Sequence, residues 1–274
     1  MFITMHCTLD QTILRITLMI DLITPGWPAP GHIKALFTTR SGGFSNGVHA
    51  TFNLGMHVHD TPENVIKNRA LLRKYLPGDP HWLRQVHGAR HVWIKHGDMQ
   101  LQEESGDAAL SRESNTVCAI MVADCLPVLL CDTAGTIVGA VHAGWRGLAA
   151  GIIEQTVAAM QTERNALMAW LGPAIGPAYF EVGEDVRAAF VDSDQRTAAA
   201  FEPADSASQS EPKWHADIFQ LARYRLAHAG VTRIYGGGVC AYSDPGRFFS
   251  YRRDGETGRM AALIWMEKSG EYAK

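Results

Sequence analysis

At 274 residues, the chain is long enough for one large domain or two small ones with a sizeable buried core. Its 46% hydrophobic and 19% charged residues are the proportions of a globular protein. A formal net charge of −3 withholds the basic footprint that nucleic-acid binders carry, so nucleic acid is not an expected partner.

Residues 1–21 are mildly apolar but lack the basic n-region of a signal peptide, and Asp10 and Arg15 interrupt them. Met19 is an alternative start, which makes 1–18 an N-terminal extension and leaves 19–274 as a single domain. Residues 33–39, I-K-A-L-F-T-T, read as a strand, followed by the glycine loop R-S-G-G-F-S-N-G. Pro62 suits a first helical turn, and apolar positions 65, 66, 71, 72 and 76 predict a helix over 62–76. Residues 82–94 read as strand, turn and strand around Q-V-H-G. Residues 116–131 form one apolar, β-like segment in which Pro127 predicts an edge, a bulge or a break.

D-T-A-G at 132–135 is a turn, with a strand over 136–142 and a helix from about Gly147 to Met160. A strand over 166–171 and a helix over 182–191 follow. Residues 192–212, rich in Ser, Asp, Ala and Gln, read as a surface excursion. Residues 214–229 read as an amphipathic helix, and strands near 232–235 and 261–266 close one α/β domain. No apolar run approaches the roughly 20 residues of a membrane helix. Five cysteines, with no C-x-x-C pair, speak against a disulfide framework and for a reducing, cytoplasmic setting.

His87 in Q-V-H-G, Cys125 in A-D-C-L-P and His142 in V-H-A-G-W-R-G each stand at the end of an apolar segment, where a strand delivers a side chain to a sheet rim. Two imidazoles and a thiolate can hold a tetrahedral zinc ion with one position open to water or substrate. Among twelve histidines such spacing also arises by chance, and a surface or structural histidine is the competing reading. Gly144 and Gly147 let the backbone turn sharply. Arg146, at a helix head, and Arg40 with Ser41, ahead of the glycine loop, suit an anion such as phosphate. Trp145 reads as core rather than as a stacking platform.

Gln85 shares a strand face with His87 and is a substrate-contact candidate. Asp124 either points away from the ligands or orients His87 or His142. Glu181 and Tyr179 are acid–base candidates. Arg252 and Arg253, if on a strand, face opposite ways, one toward the site and the other toward Asp254. Cys118 and Cys131 read as core, and His57 and His59 as surface residues that could also form a second metal pair.

Seven motifs occur in order over residues 36–266: F-T-T-R-S-G-G-F-S, F-N-L-G-M-H-V, Q-V-H-G, A-D-C-L-P-V-L-L, V-H-A-G-W-R-G, G-P-A-I-G-P-A-Y-F-E-V and F-F-S-Y-R-R-D-G-E-T-G-R. Together they resemble the YfiH-like family, also called the laccase-domain or multicopper polyphenol oxidase family. The resemblance implies a single-domain, four-layer α/β/β/α sandwich. It implies zinc held by His87, Cys125 and His142, with these three and Asp124 at the catalytic centre. It further implies phosphorolysis of adenosine, inosine and methylthioadenosine, with adenosine deaminase activity, on small nucleosides and phosphate held by residues such as Arg40, Ser41, Gln85, Arg146, Arg252 and Glu181.

Three other readings stand beside this one. The family's other name implies copper and polyphenol oxidation, but a multicopper site needs more paired histidines than His57 and His59 add. Cys125 could act as the nucleophile of an amide hydrolase in peptidoglycan precursor editing, with a histidine as base. A zinc-stabilised scaffold without turnover is the third.

Overall fold

The computed structural model describes residues 20–95, 97, 103–205 and 211–268. The expected extension at 1–18 lies outside them. Two sheets face each other. The five-stranded sheet runs β1-β2-β14-β6-β3, from β1 (Leu22–Ile23), β2 (Ile33–Thr38), β3 (Pro80–His81), β6 (Val117–Val122) and β14 (Met260–Met266). The six-stranded sheet runs β13-β9-β7-β8-β5-β4, from β4 (His91–Trp93), β5 (Ala108–Ser111), β7 (Leu126–Asp132), β8 (Val138–Ala143), β9 (Leu167–Leu171) and β13 (Arg233–Gly236). A small third sheet joins β10 (Glu181–Gly183), β11 (Phe201–Pro203) and β12 (Lys213–Ala216).

Strand alternation explains the layering. Cys118, Ile120 and Val122 of β6 pack with Leu129 and Cys131 of β7 in the core between the two large sheets. The alternate residues Val117, Ala119 and Met121 face a second core with Leu71 and Leu72 of α1 (Pro62–Arg73). Leu126, Val128 and Leu130 of β7 face a third, under α2 (Trp145–Ala149), α3 (Ile152–Met160), α4 (Glu184–Val191) and α5 (Ile218–His228). Strands covered on both faces read as continuous apolar runs. The result is the expected α/β/β/α sandwich. No helix among the described residues is long and apolar enough to cross a membrane.

The elements differ from the sequence reading in ways that matter for the site. The single segment 116–131 is two strands in different sheets, with the chain crossing between them at 123–125, where Asp124 adopts φ 90°. Pro127 sits in a central strand, not at an edge. Regular pairing with β9 starts only at Val128↔Leu171, so its missing N–H lies where the ladder ends, and its carbonyl accepts from Gly172 N at 3.0 Å. Residues 82–90 likewise cross between sheets rather than forming a hairpin, since β3 pairs with β6 and β4 with β5. The helix expected from 147 breaks at Gly151, whose φ of 83° favours glycine. Trp214 lies in β12, and α5 starts later because the Asp217 side chain caps it through Phe219 N and Gln220 N.

Candidate metal centre

The two crossings and the end of β8 meet at one rim. In the β7–β8 ladder Leu126 pairs with Ala143 and Pro127 with His142, so Cys125, one residue before β7, arrives beside His142. His87 reaches the same point from the 82–90 crossing with φ 59°, in the left-handed region that histidine tolerates better than most residues. The donor atoms of His87, Cys125 and His142 all lie within 4.8 Å of one another. The imidazole rings meet edge to face, with centroids 4.8 Å apart. Gly144 makes room for this: a Cβ there would stand 3.0 Å from Cys125 Sγ and 3.3 Å from His87 Cδ2.

One buried carboxylate ties two of the three approaches together, those of His87 and His142. Asp107, just ahead of β5, accepts the N–H groups of His87 at 2.9 Å, Gly88 at 2.8 Å and Val86 at 3.3 Å. Its Oδ1 also lies 2.8 Å from His142 Nδ1. Because a carboxylate only accepts, Nδ1 carries the proton and Nε2 is left as the donor to a metal. Burial alone would raise the Asp107 carboxyl, but His142 and the loop N–H groups hold it below the usual carboxylate range. Burial would likewise raise the Cys125 thiol, yet His142 and His87 bring it down to about 6. Burial would lower His142, and the Cys125 thiolate and Asp107 carry it up to about 9. A thiolate facing two imidazoles, one of them backed by a carboxylate, is a donor set that fits zinc.

The other expected site residues are placed less directly. Asp124 does not touch His87 or His142; the orienting carboxylate is Asp107. Asp124 Oδ2 accepts from Arg252 N at 2.6 Å, its Oδ1 has no hydrogen-bond partner, and burial raises its carboxyl. Arg252 and Arg253 lie on the short helix α6 (Tyr251–Asp254), not on a strand. Arg252 Nη1 donates to the carbonyls of Glu181 and Tyr179 at 2.9 and 3.2 Å, and Arg253 pairs with Asp254. Tyr179 stacks on Tyr242 with centroids 4.1 Å apart. Glu181 pairs in register with His215 between β10 and β12.

Gln85 is bound to the Met121 backbone in both directions, at 2.7 and 2.8 Å, which anchors the 82–90 crossing to β6. Arg40 donates to the carbonyls of Ala50 and Pro245 and lies over Phe249, while the Ser41 N–H donates to Thr39 Oγ1. Arg146 is exposed and covers Trp145, which is partly buried against the core. His59 faces Glu256 at 3.6 Å; neither it nor His57 joins a three-donor cluster among the described residues. Sequence reasoning missed Asp107. Its only signal was a lone acid ahead of the apolar strand A-A-L-S.

Comparison with known proteins agrees with this architecture. A family model described as multi-copper polyphenol oxidoreductase laccase matches residues 34–267. The chain is 48% identical over 250 residues to "Purine nucleoside phosphorylase YfiH" of Escherichia coli, covering 90% of this chain and 100% of that one. It is 48% identical over 245 residues to a purine nucleoside phosphorylase of Pseudomonas aeruginosa, covering 89% and 98%. A crystal structure of a Neisseria meningitidis protein superposes with a TM-score of 0.84 at 45% identity, covering 90% of this chain and 100% of that one. From the sandwich, the His–Cys–His rim and these relatives, the chain belongs to the YfiH-like family, described as multi-copper polyphenol oxidoreductase laccase.

Proposed function

We propose that the chain is a zinc-dependent purine nucleoside phosphorylase that also deaminates adenosine, with His87, Cys125 and His142 holding the ion. The observation that carries this reading is the donor set itself: a thiol already lowered to about 6 between two imidazoles, with Asp107 fixing His142. The names of the relatives supply the substrate class. A zinc ion held by these three residues would supply Lewis acidity.

The chain's own residues do the rest. Asp107 keeps His142 in one tautomer and holds the 86–88 backbone, so the ligands need little rearrangement. Gln85 fixes that crossing to β6. Asp124 and Arg252 tie α6 to the 123–125 crossing, and Arg252 continues the tie to the Tyr179–Glu181 segment. In phosphorolysis the ribose gains positive charge as the glycosidic bond breaks, and a rigid, partly buried site with an anion held beside it stabilises that charge. The single three-donor cluster among the described residues suits one ion better than a multicopper array.

A product assay tests the reading. Metal-replete protein is incubated with adenosine, with and without phosphate, and the products are separated by chromatography. Adenine that forms only with phosphate is the expected result, and inosine in either case marks deamination. Absence of both products would overturn the proposal and favour an amide hydrolase on the same fold.

A further inference from the structure

Three arginines singled out by sequence have their guanidiniums on other groups: Arg40 on the Ala50 and Pro245 carbonyls, Arg252 on those of Tyr179 and Glu181, and Arg146 over Trp145. Arg259, the last residue of the final motif, is placed differently. Strand β14 pairs Met260 with Val122, so Arg259 stands at the rim where β6 gives way to the 123–125 crossing. Burial holds its guanidinium below the usual arginine value, and Cys125, Asp124 and Tyr251 act in the opposite direction, which puts all three within electrostatic reach.

The side chain is held in place before any ligand arrives. Its backbone N–H donates to Asn53 Oδ1 at 2.8 Å, and its carbonyl accepts from Leu54 N at 3.1 Å. Nη1 donates to the carbonyls of Thr257 and Gly258 at 2.8 and 3.0 Å. A Cβ on residue 55 would stand 2.8 Å from Arg259 Cγ, so Gly55 leaves the stem its room. Nε and Nη2 make no hydrogen bond, and no carboxylate lies within ion-pairing distance, among the described residues. That edge of a guanidinium matches two oxygens of a tetrahedral oxyanion. A second cation lies on the same side, since burial, Arg259 and Arg69 all press the His57 imidazole below its usual value.

We infer that Arg259 holds the phosphate co-substrate beside the metal centre, through its Nε–Nη2 edge. The inference rests on the phosphorolytic reading above. In that reaction an oxygen of hydrogen phosphate bonds to C1′ as the C1′–N9 bond breaks. The bonding pair leaves with the base, and the phosphate's proton ends on that base. A fixed cation near Cys125 offsets the charge that the phosphate brings toward the thiolate.

The test compares the full-length parent with Arg259→Gln and Arg259→Lys, each checked for metal content and thermal stability. Calorimetric titration with inorganic phosphate reads binding directly, and steady-state kinetics separate KM for phosphate from KM for adenosine. Arg259→Gln should raise the phosphate Kd and KM about 10- to 100-fold, with KM for adenosine unchanged. Arg259→Lys keeps the charge and stem but loses the fork, and should fall between. Parental phosphate Kd and KM in Arg259→Gln would overturn the inference. So would parental values in Arg259→Lys, which carries the test if Arg259→Gln folds poorly. If the parent binds phosphate but cleaves no nucleoside, the phosphorolytic reading fails, and the titration still decides whether Arg259 forms an anion site.

Discussion

The two ends of the β7–β8 hairpin use the same residue types to opposite effect. At the turn, the Asp132 carboxylate accepts from Thr136 N at 2.6 Å, Thr136 Oγ1 at 2.7 Å and Ile137 N at 3.3 Å, all within five residues of itself. The neighbouring Cys131 is buried between the sheets, and burial, with Asp132 adding to it, pushes its thiol up to about 12. At the other end, Asp107, just ahead of β5, binds His142, 35 residues away in sequence, while Cys125 is lowered to about 6. An aspartate satisfied by its own turn closes that end. An aspartate that reaches across strands orients an imidazole and leaves a second nitrogen and a thiolate facing outward. The difference between a structural cysteine on β7 and a chemical one just before it is therefore set by partners, not by the strand.

The largest break in this comparison is Cys125→Ala against Cys131→Ala. Removing Cys125 should abolish stoichiometric metal and turnover, because two imidazoles alone make an incomplete zinc site. Removing Cys131 should leave metal content at the parental level and cost about 1 kcal/mol of stability as a small core truncation. Elemental analysis and thermal unfolding read both. Full metal in Cys125→Ala would contradict the ligand assignment.

Next in size is Asp107→Asn. Asp107 accepts four N–H groups, two on each oxygen, and an asparagine has a single oxygen, so its NH2 must face two of those donors. Metal affinity should fall about 10- to 100-fold in competition with a chelator. Asp132→Asn at the turn should instead cost about 1–2 kcal/mol of stability and leave metal affinity unchanged. Equal metal affinity in the two variants would erase the contrast.

The cysteines also separate by pH in metal-stripped protein. With a thiol at about 6, Cys125 is about nine-tenths thiolate at pH 7 and about one-tenth at pH 5. Its alkylation should slow roughly tenfold as pH falls between those values. Cys131, at about 12, and the buried Cys118 should stay unmodified throughout. Peptide mapping assigns the sites, and reloading the metal should protect Cys125.

Much of this end of the molecule was legible in sequence, and the unread part has a physical cause. His87, Cys125 and His142 stand out because each follows or precedes an apolar run that a strand must end. The split of 116–131 between two sheets was hidden because β6 and β7 are buried on both faces, so no polar alternation marks the crossing. Only Asp124, in its positive-φ conformation, breaks the run. Asp107 was invisible because its four partners lie 19 to 35 residues away, on elements whose pairing no local pattern encodes. Arg40 and Arg252 were legible as charges but not as contacts, since backbone carbonyls distant in sequence decide where their guanidiniums point.

The smallest effect tests the backbone rather than the donors. Gly144 has φ −66° and ψ 159°, a conformation open to any residue, so an alanine there meets no backbone penalty. Its Cβ would nonetheless lie 3.0 Å from Cys125 Sγ and 3.3 Å from His87 Cδ2, and two ligands would have to give by a few tenths of an ångström. Gly144→Ala should therefore fold with near-parental stability and lose metal affinity by roughly tenfold or less. Gly135→Ala at the turn is the converse. Gly135 has φ 69°, and a Cβ there would collide with the His32 imidazole, whose Nε2 hydrogen-bonds the Gly135 carbonyl at 2.9 Å. That variant should lose at least about 1 kcal/mol of stability with metal affinity intact. If Gly144→Ala lost stability instead of affinity, the rim would be held by packing alone, and the division of the hairpin into a structural and a chemical end would fail.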